Sequence, residues 1–399
     1  MKRERTGVEC ENKETHWVDD ILCCFLWASF PRLRLDAACD FARLQTLQLV
    51  SRQFARLVLT VVVANLQRCH QAVFASMTSQ WKARLTGLCV LEAQPSLPTL
   101  DFSPYTRLRQ LHVTHCDNDA LRLPASLCEL HVATWIPRTI SLGRHLTCLR
   151  KLVLTSGSQL VTLGNLPALT ALEDLVLGRA CLARLCDLTA LRSLRSLSLS
   201  CNAQLRDSDV ARLTQLRSLD LSHNKCITDD GISGLTGLCE LNLMRNDRIS
   251  EAALYALSQL ETLVLHGNVS IGCGPLLRMP HLRRLGYQHC ITIVPREFAR
   301  MTQLTALDLY NAMQVLQSLE WTVALPHLRE LCITTNERVM SRWVTTMSGL
   351  TCLKLSHRTT VTKRARMLFD ERGGRLYRIN RYGVIRRVDK EGEEEDDAS

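Results

Sequence analysis

The strongest pattern in this sequence is a regular alternation of leucine and other residues over residues 194–265. Consecutive blocks open with Leu-x-x-Leu-x-Leu, and the openings at Leu194, Leu216, Leu238 and Leu260 are 22 residues apart. In an extended chain, successive side chains point to opposite faces. Each opening therefore predicts a short strand whose leucines point inward and whose intervening residues point outward.

The same register extends in both directions and predicts an array over residues 85–360. The thirteen openings are Leu85, Leu108, Leu127, Leu149, Leu172, Leu194, Leu216, Leu238, Leu260, Leu282, Leu304, Leu328 and Leu350. A fixed period of this length indicates a stack of units, each too small to bury its apolar face alone. The period and motif resemble the leucine-rich repeat family. The resemblance implies an α/β fold, a leucine-rich-repeat solenoid with a parallel β ladder on its concave face and short helices or turns on its convex face.

The segments that follow the strands are predicted to turn onto the convex face. Asn224, Asn246 and Asn268 take the position where an asparagine side chain can satisfy the polar groups of a turn. Residues 229–235 and 251–257 predict a short helix or a 3₁₀ turn. Proline and glycine predict extended loops in three stretches: 91–107, 117–142 and 266–281.

The residues between the leucines should form the concave surface of the array. They are mostly small and mixed in charge, without the single-sign field that nucleic-acid binding needs, so we regard nucleic-acid binding as an unlikely function. A broad surface of this kind suits a protein partner. The residues that we expect to contact this partner are Asp220, Asn242, Met244, His266, Asp308 and Tyr310.

Residues 16–84 precede the array and show helical spacing of apolar residues. The spacing is clearest over residues 18–26 and 41–57. Residues 58–77 also fit a helix, although the β-branched run Val61-Val62-Val63 weakens this prediction. We therefore predict a small helical module, preceded by a polar, disordered segment over residues 1–15.

Two stretches of this module resemble the F-box, a short helical module that joins an adaptor subunit of the SCF ubiquitin ligases. They are WVDDILCCFLW at residues 17–27 and LQTLQLVSRQFARLV at residues 44–58. The sequence departs from the motif at Val18, where the family has proline, and by an insertion at residues 31–40. The resemblance implies docking on the SCF adaptor through Ile21, Leu22, Phe25, Leu47, Val50 and Phe54. The alternative is a helical N-terminal cap that shields the first repeat.

The period stops after Leu355, and residues 361–388 are predicted to form a C-terminal cap. A turn at residues 371–374 should precede a hairpin built from residues 375–379 and 382–385.

Charge is unevenly distributed beyond the array. Residues 361–390 carry ten Lys or Arg against three acids, whereas residues 391–397 hold six acids in seven positions. A basic patch can bind nucleic acid or anionic lipid. The alternative is a solvated cap, followed over residues 389–399 by an acidic disordered tail.

The cysteine pattern bears on the cellular compartment. The chain has 18 cysteines, none of them in a Cys-x-x-Cys pair, and free cysteine packs as a small hydrophobe. So many unpaired thiols predict a reducing compartment, either cytoplasmic or nuclear. The apolar run at residues 57–66 is about half the length of a membrane span, so we expect neither a membrane segment nor a membrane partner.

Candidate chemistry is sparse. His112, His115, Cys116 and His131 suggest a metal site, and His112 and His131 should be neighbours on adjacent strands. The register places Cys116 past its strand and turned inward, so a zinc ligand set is not predicted. Phosphate-binding loops and hydrolase motifs are missing from the sequence. We predict no cofactor, no metal and no catalytic residue.

The function expected from the sequence is protein binding without catalysis. The two resemblances together imply the substrate-recognition subunit of an SCF-type E3 ubiquitin ligase, with the substrate held on the concave face. The alternative is a non-catalytic leucine-rich-repeat scaffold or regulatory protein with no ubiquitin role. A third hypothesis is a nucleic-acid-associated protein that uses the basic residues of 363–387.

Overall fold

The computed structural model forms two compact units, residues 1–131 and residues 132–399. The residues that the structure describes are 32–34, 60–63, 87–90, 101–116, 122–135, 139–155, 160–178, 181–182, 188–268, 271–287, 297, 299–309, 325–333, 346–356, 361–379 and 385–388.

Parallel strands follow one another in the first unit. They are β1 (Arg32–Arg34), β2 (Thr60–Val63), β3 (Gly87–Val90) and β4 (Gln110–Cys116), each paired with the next along the chain. Strand β5 (Glu129–Trp135) begins in this unit. Phe102, Tyr105 and Leu108 are at most 2% exposed. These buried side chains precede β4 and form part of the apolar core of the unit.

Two of these strands correct the prediction of a purely helical module over residues 16–84. Strand β1 lies in the predicted insertion, and β2 lies in the segment predicted as a third helix. The run Val61-Val62-Val63 explains the error, because β-branched side chains lose rotamer freedom in a helix and pack well on a pleated strand. The other predicted helices, residues 18–26 and 41–57, lie outside the described residues.

The second unit is built around one long series of strands. In chain order after β5 the strands are β6 (Thr139–Ser141), β7 (Lys151–Leu154), β8 (Leu160–Gly164), β9 (Asp174–Leu177), β10 (Cys181–Leu182), β11 (Ser196–Ser198), β12 (Ser218–Asp220), β13 (Glu240–Asn242), β14 (Thr262–Val264), β15 (Arg284–Gly286), β16 (Ala306–Leu309), β17 (Glu330–Ile333), β18 (Cys352–Ser356), β19 (Arg375–Ile379) and β20 (Ile385–Arg387). Strands β7, β9 and β11–β19 pair in parallel in that order, and we call them the strand ladder. Strands β6, β8 and β10 form a separate parallel sheet.

The predicted register is confirmed strand by strand. Among the described residues, strands β3, β4, β5, β7, β9 and β11–β18 each begin two residues after one of the thirteen predicted leucine openings. The leucine at the centre of β12, Leu219, is 2% exposed, and its flanking residues Ser218 and Asp220 are partly exposed. Fully burying a leucine side chain contributes about 1.5–3 kcal/mol. Repetition of this burial along the ladder supplies the apolar core.

A row of buried asparagines holds the turns that follow the strands. Asn202, Asn224, Asn246 and Asn268 are at most 3% exposed, and we call them the asparagine ladder. The Asn224 amide donates to the carbonyls of Leu199 and Leu221, both at 2.9 Å. Its Oδ1 accepts the backbone N–H of Asn202 at 2.7 Å. The predicted turn role of these asparagines is confirmed, and Asn202 is a further member that the sequence analysis missed.

The residue before each ladder asparagine has a left-handed backbone. The φ angles are 60° at Cys201, 62° at His223, 56° at Arg245 and 80° at Gly267. Glycine adopts this conformation freely, but for other residues it costs roughly 1–2 kcal/mol. The backbone N–H groups of His223 and Arg245 each donate at 2.8 Å to a carbonyl of the following repeat. These hydrogen bonds and the adjacent asparagine hold the turn in this conformation.

Short helices follow the turns in the central repeats, as predicted. They are α1 (Asp207–Val210), α2 (Asp229–Ile232) and α3 (Glu251–Leu254). Each begins with an acid that binds the next repeat. Asp207 accepts the backbone N–H and hydroxyl of Thr228 at 2.8 and 2.6 Å, and Asp229 does the same for Ser250. Short 3₁₀ helices occur at Leu166–Ala168, Leu188–Ala190 and Leu276–Arg278.

The predicted C-terminal cap contains a helix that the sequence analysis did not find. Helix α4 (Lys363–Glu371) precedes β19, and Thr362 caps its first turn by accepting the Ala365 N–H. Strands β19 and β20 form the predicted antiparallel hairpin. The second strand is described over Ile385–Arg387, and residues 382–384 of the predicted strand lie outside the described residues. Arg375 lies in register with Cys352 of β18, so the hairpin extends the strand ladder.

Replacing Asn224 with alanine should destabilise the second unit by about 2–4 kcal/mol, because the buried Asn202 N–H and Leu221 carbonyl lose their partner. Asn242→Ala is the matched control. Asn242 is half-buried and accepts one local hydrogen bond, from the Met244 N–H at 3.1 Å, so its loss should cost less than about 1 kcal/mol. Urea unfolding of both variants measures the difference. Equal losses would contradict the role of the asparagine ladder.

Candidate protein-binding face

The outward side of the strand ladder carries two rows of side chains. From β7 to β19, the first row is Lys151, Asp174, Ser196, Ser218, Glu240, Thr262, Arg284, Ala306, Glu330, Cys352 and Arg375. In the same order, the second row is Val153, Val176, Ser198, Asp220, Asn242, Val264, Gly286, Asp308, Cys332, Lys354 and Tyr377. The concave face consists of these rows together with Ser222, Met244 and His266, which follow β12, β13 and β14.

Two of the predicted contact residues are held in place by their neighbours. The Asp220 carboxylate accepts the backbone N–H of Ser222 at 2.9 Å and the hydroxyl of Ser198 at 3.1 Å. Asn242, which lies opposite Asp220 on β13, accepts the Met244 N–H. Because these bonds fix both side chains, a partner that contacts them loses little conformational entropy.

His266 crosses one strand of the ladder to reach Asp308. Its Nε2 lies 3.6 Å from the Asp308 Oδ2, and the side chain is 9% exposed. Strand β15 lies between them and contributes Gly286 at this point. A Cβ atom built on Gly286 would lie 2.7 Å from the His266 Cε1. The missing side chain of Gly286 therefore makes room for the imidazole.

A second pair of polar side chains crosses the ladder in the same way. The Arg284 guanidinium lies 3.6 Å from the Glu330 carboxylate, with Ala306 on the strand between them. Both the His266–Asp308 contact and the Arg284–Glu330 ion pair thus span two strand spacings over a small residue. Another pair, Lys151 with Asp174 at 2.7 Å, joins directly neighbouring strands. Positive and negative groups are interspersed along the face, so that neither sign covers its whole length.

Two cysteines of the face are poor nucleophiles. Burial raises the pKa of the Cys332 thiol well above its usual range, and the charge and hydrogen bond of Asp308 raise it further. Burial also raises the pKa of Cys352, while Lys354 acts in the opposite direction. The thiolate is the reactive form, so both side chains act at neutral pH as small, weakly polar surface groups.

The structure brings together five of the six residues predicted on the concave face. Asp220 and Asn242 are neighbours in the second row. Met244 and His266 follow consecutive strands, and Asp308 contacts His266. The sixth predicted residue is Tyr310, which lies outside the described residues. So do all the predicted adaptor-binding residues: Ile21, Leu22, Phe25, Leu47, Val50 and Phe54. The roles of Gly286 and Ala306 beneath the crossing side chains were not predicted, because small residues show no functional signal until their cross-strand neighbours are known.

The histidine pair of the first unit is a neighbouring pair, as predicted. The rings of His112 and His131 lie 4.0 Å apart at 80°. Burial, with the charge of His131 as a second cause, lowers the pKa of His112 to about 4. Cys116 is the last residue of β4 rather than past it, which corrects its predicted place. In the part of the chain that the structure describes, no group of three or more His, Cys, Asp or Glu residues is placed to hold a metal ion.

Replacing Gly286 with alanine should destabilise the protein by about 1–3 kcal/mol, because the new methyl group overlaps the His266 ring. Gly178→Ala is the matched control, since a Cβ there meets nothing closer than 3.5 Å, and it should be neutral or slightly stabilising. Urea unfolding measures the change in the free energy of unfolding for both the Gly286→Ala and the Gly178→Ala variants.

A His266→Ala background isolates the cause. In that background, Gly286→Ala should destabilise the protein much less, because the imidazole ring that the new methyl group overlaps has been removed. An unchanged cost in that background would contradict the proposed packing of His266 over Gly286.

No protein-family model matches the sequence, and the search of curated proteins gives no significant match. Among the described residues, no helix is both long enough and apolar enough to cross a membrane.

Three solved structures are similar to this chain. An internalin (inlF) from Listeria monocytogenes has a TM-score of 0.51 and 19% identity, covering 78% of this chain and 94% of its own. Internalin C2 (inlC2) from the same organism has a TM-score of 0.30 and 23% identity, covering 49% and 74%. A leucine-rich-repeat protein from Leptospira interrogans has a TM-score of 0.38 and 17% identity, covering 75% and 91%. The first similarity, together with the strand ladder and its short helices, shows that the fold is a leucine-rich-repeat solenoid.

Proposed function

We propose that this chain binds a protein partner across the concave face, through the part formed by β12–β17. The observation that carries the proposal is the cross-strand fixing of polar side chains there, above all His266 packed over Gly286 and held beside Asp308. Such fixed groups provide a shaped surface at low entropic cost. Strand side chains that face outward in parallel rows are the surface that repeat proteins use for extended partners.

The charge pattern favours protein over nucleic acid as the partner of this face. Its two rows hold five acids and four bases, and both signs occur along the length of the ladder: Lys151, Asp174, Asp220, Glu240, Arg284, Asp308, Glu330, Lys354 and Arg375. A nucleic-acid backbone requires a consistently positive surface, because phosphate contacts provide much of its binding energy. Mixed charges instead provide specificity for a complementary protein surface.

An Asn242→Arg variant should lose the partner, because it places a long cation at the centre of the second row. Ala252→Arg adds the same charge to an exposed position of α3, and this variant should still bind the partner. The two variants and the wild-type chain are compared as baits in proximity labelling, with quantification by mass spectrometry. A specific partner should be depleted at least tenfold by Asn242→Arg alone. Equal recovery with all three baits would exclude the concave face as the binding surface.

We further propose that the partner is a substrate and that the chain is the substrate-recognition subunit of an SCF-type ubiquitin ligase. The support is the sequence resemblance of residues 17–27 and 44–58 to the F-box. The described strands are compatible with it, since β1 falls between the two halves and β2 follows the second. In this proposal the chain performs no chemistry and raises the effective concentration of the substrate near the ligase. The SCF machinery and the many free cysteines both fit a cytoplasmic or nuclear location.

Co-purification of the full chain with the SCF adaptor subunit tests this second proposal. The wild-type chain should bind the adaptor, and a Val50→Asp, Phe54→Asp double variant should lose binding at least tenfold, because each change puts a charge into the apolar contact. Asn242→Arg serves as the control and should bind the adaptor normally. If the wild-type chain does not bind, the ligase role is wrong and a non-catalytic scaffold or regulatory role remains.

A further inference from the structure

A groove flanked by two arginines, Arg283 and Arg329, lies at the edge of the strand ladder where β15, β16 and β17 begin. Three successive repeats line it with paired positions: His281 and Arg283, Gln303 and Thr305, His327 and Arg329. Its volume is about 390 Å³, and no carboxylate is among the lining residues. The groove is separate from the concave face, because the outward rows begin one residue later, at Arg284, Ala306 and Glu330.

The middle of the groove is neutral and fixed, whereas its ends are cationic and exposed. The Gln303 side chain donates to the Met279 carbonyl at 3.1 Å, and the Thr305 hydroxyl donates to the Arg283 carbonyl at 3.1 Å. Arg283 and Arg329 are exposed on either side. Two strand spacings separate them, or roughly 10 Å. An extended chain with closely spaced acids can therefore reach both guanidinium groups at once.

Acidic residues near the groove do not cancel its charge. Glu330 lies next to Arg329 in sequence, but its carboxylate faces the outward row and pairs with Arg284. Glu261 precedes β14 and occupies the edge position one repeat before Arg283. The groove thus lies between one acidic edge residue and the end of the ladder.

The chain leaves the last hairpin at this same edge. Strand β20 runs antiparallel to β19, and the Val388 N–H donates to the Leu376 carbonyl at 2.9 Å, beside the first residues of β19. Because β19 is in register with β18 and β17, Val388 lies on the side of the ladder where every parallel strand begins. The residues after Val388 therefore start from the edge that carries the groove.

We propose that residues 391–397 of this chain occupy the groove. The segment holds six acids in seven positions, complementary to the cations of the lining. From β20, the ladder places β17 at roughly 14 Å and β15 at roughly 24 Å. Residues 391 and 397 are three and nine residues beyond Val388, so an extended chain reaches them at roughly 10 and 30 Å. The acidic stretch spans the distances at which Arg329 and Arg283 lie.

This intramolecular contact goes beyond the proposed function and does not depend on it. Residues 391–397 compete with external acidic peptides for the groove at an effective concentration on the order of millimolar, as expected for a short tether. Charge attraction of this kind weakens as salt is added, because Arg283 and Arg329 are exposed. The groove should consequently be closed to external acidic peptides in the wild-type chain and open to them when the segment is neutralised.

The test uses the full chain and a neutralised variant in which Glu391, Glu393, Glu394 and Glu395 are changed to Gln, and Asp396 and Asp397 to Asn. The probe is a fluorescent synthetic peptide of residues 389–399, and binding is followed by fluorescence anisotropy at low salt. The neutralised chain should bind the probe at least tenfold more tightly than the wild-type chain. Equal affinity for the two chains, or no binding to either, overturns the proposal.

Groove specificity is tested in the neutralised background. Arg283→Glu with Arg329→Glu should weaken probe binding at least tenfold. Arg195→Glu with Arg217→Glu is the matched control, since these arginines occupy the same edge position before β11 and β12 but lie outside the groove, and it should leave binding unchanged. Equal losses from both pairs overturn the assignment. Circular dichroism melting confirms that each variant is folded.

If a single-stranded oligonucleotide binds the groove in place of the peptide with the same arginine dependence, the occupant is a nucleic acid and the proposal is wrong.

Discussion

The structure depends on providing hydrogen-bond partners for the backbone N–H and C=O groups at the turn that follows each strand. The chain changes direction there beside buried leucines, and a buried N–H or C=O without a partner costs about 1–3 kcal/mol. Asn202, Asn224 and Asn268 donate their side-chain amides to turn carbonyls, and Asn246 bonds to the asparagines of the two neighbouring repeats. Since the amide oxygens of Asn224, Asn246 and Asn268 each accept the backbone N–H of the asparagine 22 residues earlier, these bonds couple one repeat to the next. This coupling keeps the central strands in a constant register.

A constant register determines what the concave face can present. The backbones of strands two apart in the ladder are about 10 Å from each other, so side chains of these strands meet only across a small residue. Gly286 allows His266 to reach Asp308, and Ala306 allows Arg284 to reach Glu330. The specificity of the face therefore depends as much on its small residues as on its charged ones. A larger residue at either position would separate the pair that crosses it into two independent side chains.

The sequence predicts the strands well because the period alone determines where leucines must be buried. It fails where tertiary context decides between local alternatives. Apolar spacing over residues 58–77 also fits a helix, against the β-branched run, and residues 60–63 form a strand between β1 and β3. The left-handed backbone at Cys201 and Arg245 carries no local signal, because only the turn geometry requires it. Of the candidate site, the outward positions were predictable from alternation. The role of Gly286 was not predictable, because it depends on the imidazole of His266, which reaches Asp308 from two repeats earlier.

The edge and the face of the ladder are chemically distinct although the same strands form both. Along β15–β17 the edge residues are cationic or neutral, whereas the face carries Asp308 and Glu330. The residue before a strand and the first residue within it are adjacent in sequence, so any group bound at the edge lies within about a Debye length of the face at physiological salt. Acids held at the edge would make the local potential at the face more negative, and an empty groove would leave it more positive. A partner with a basic surface would then distinguish these two states, while an uncharged partner would not.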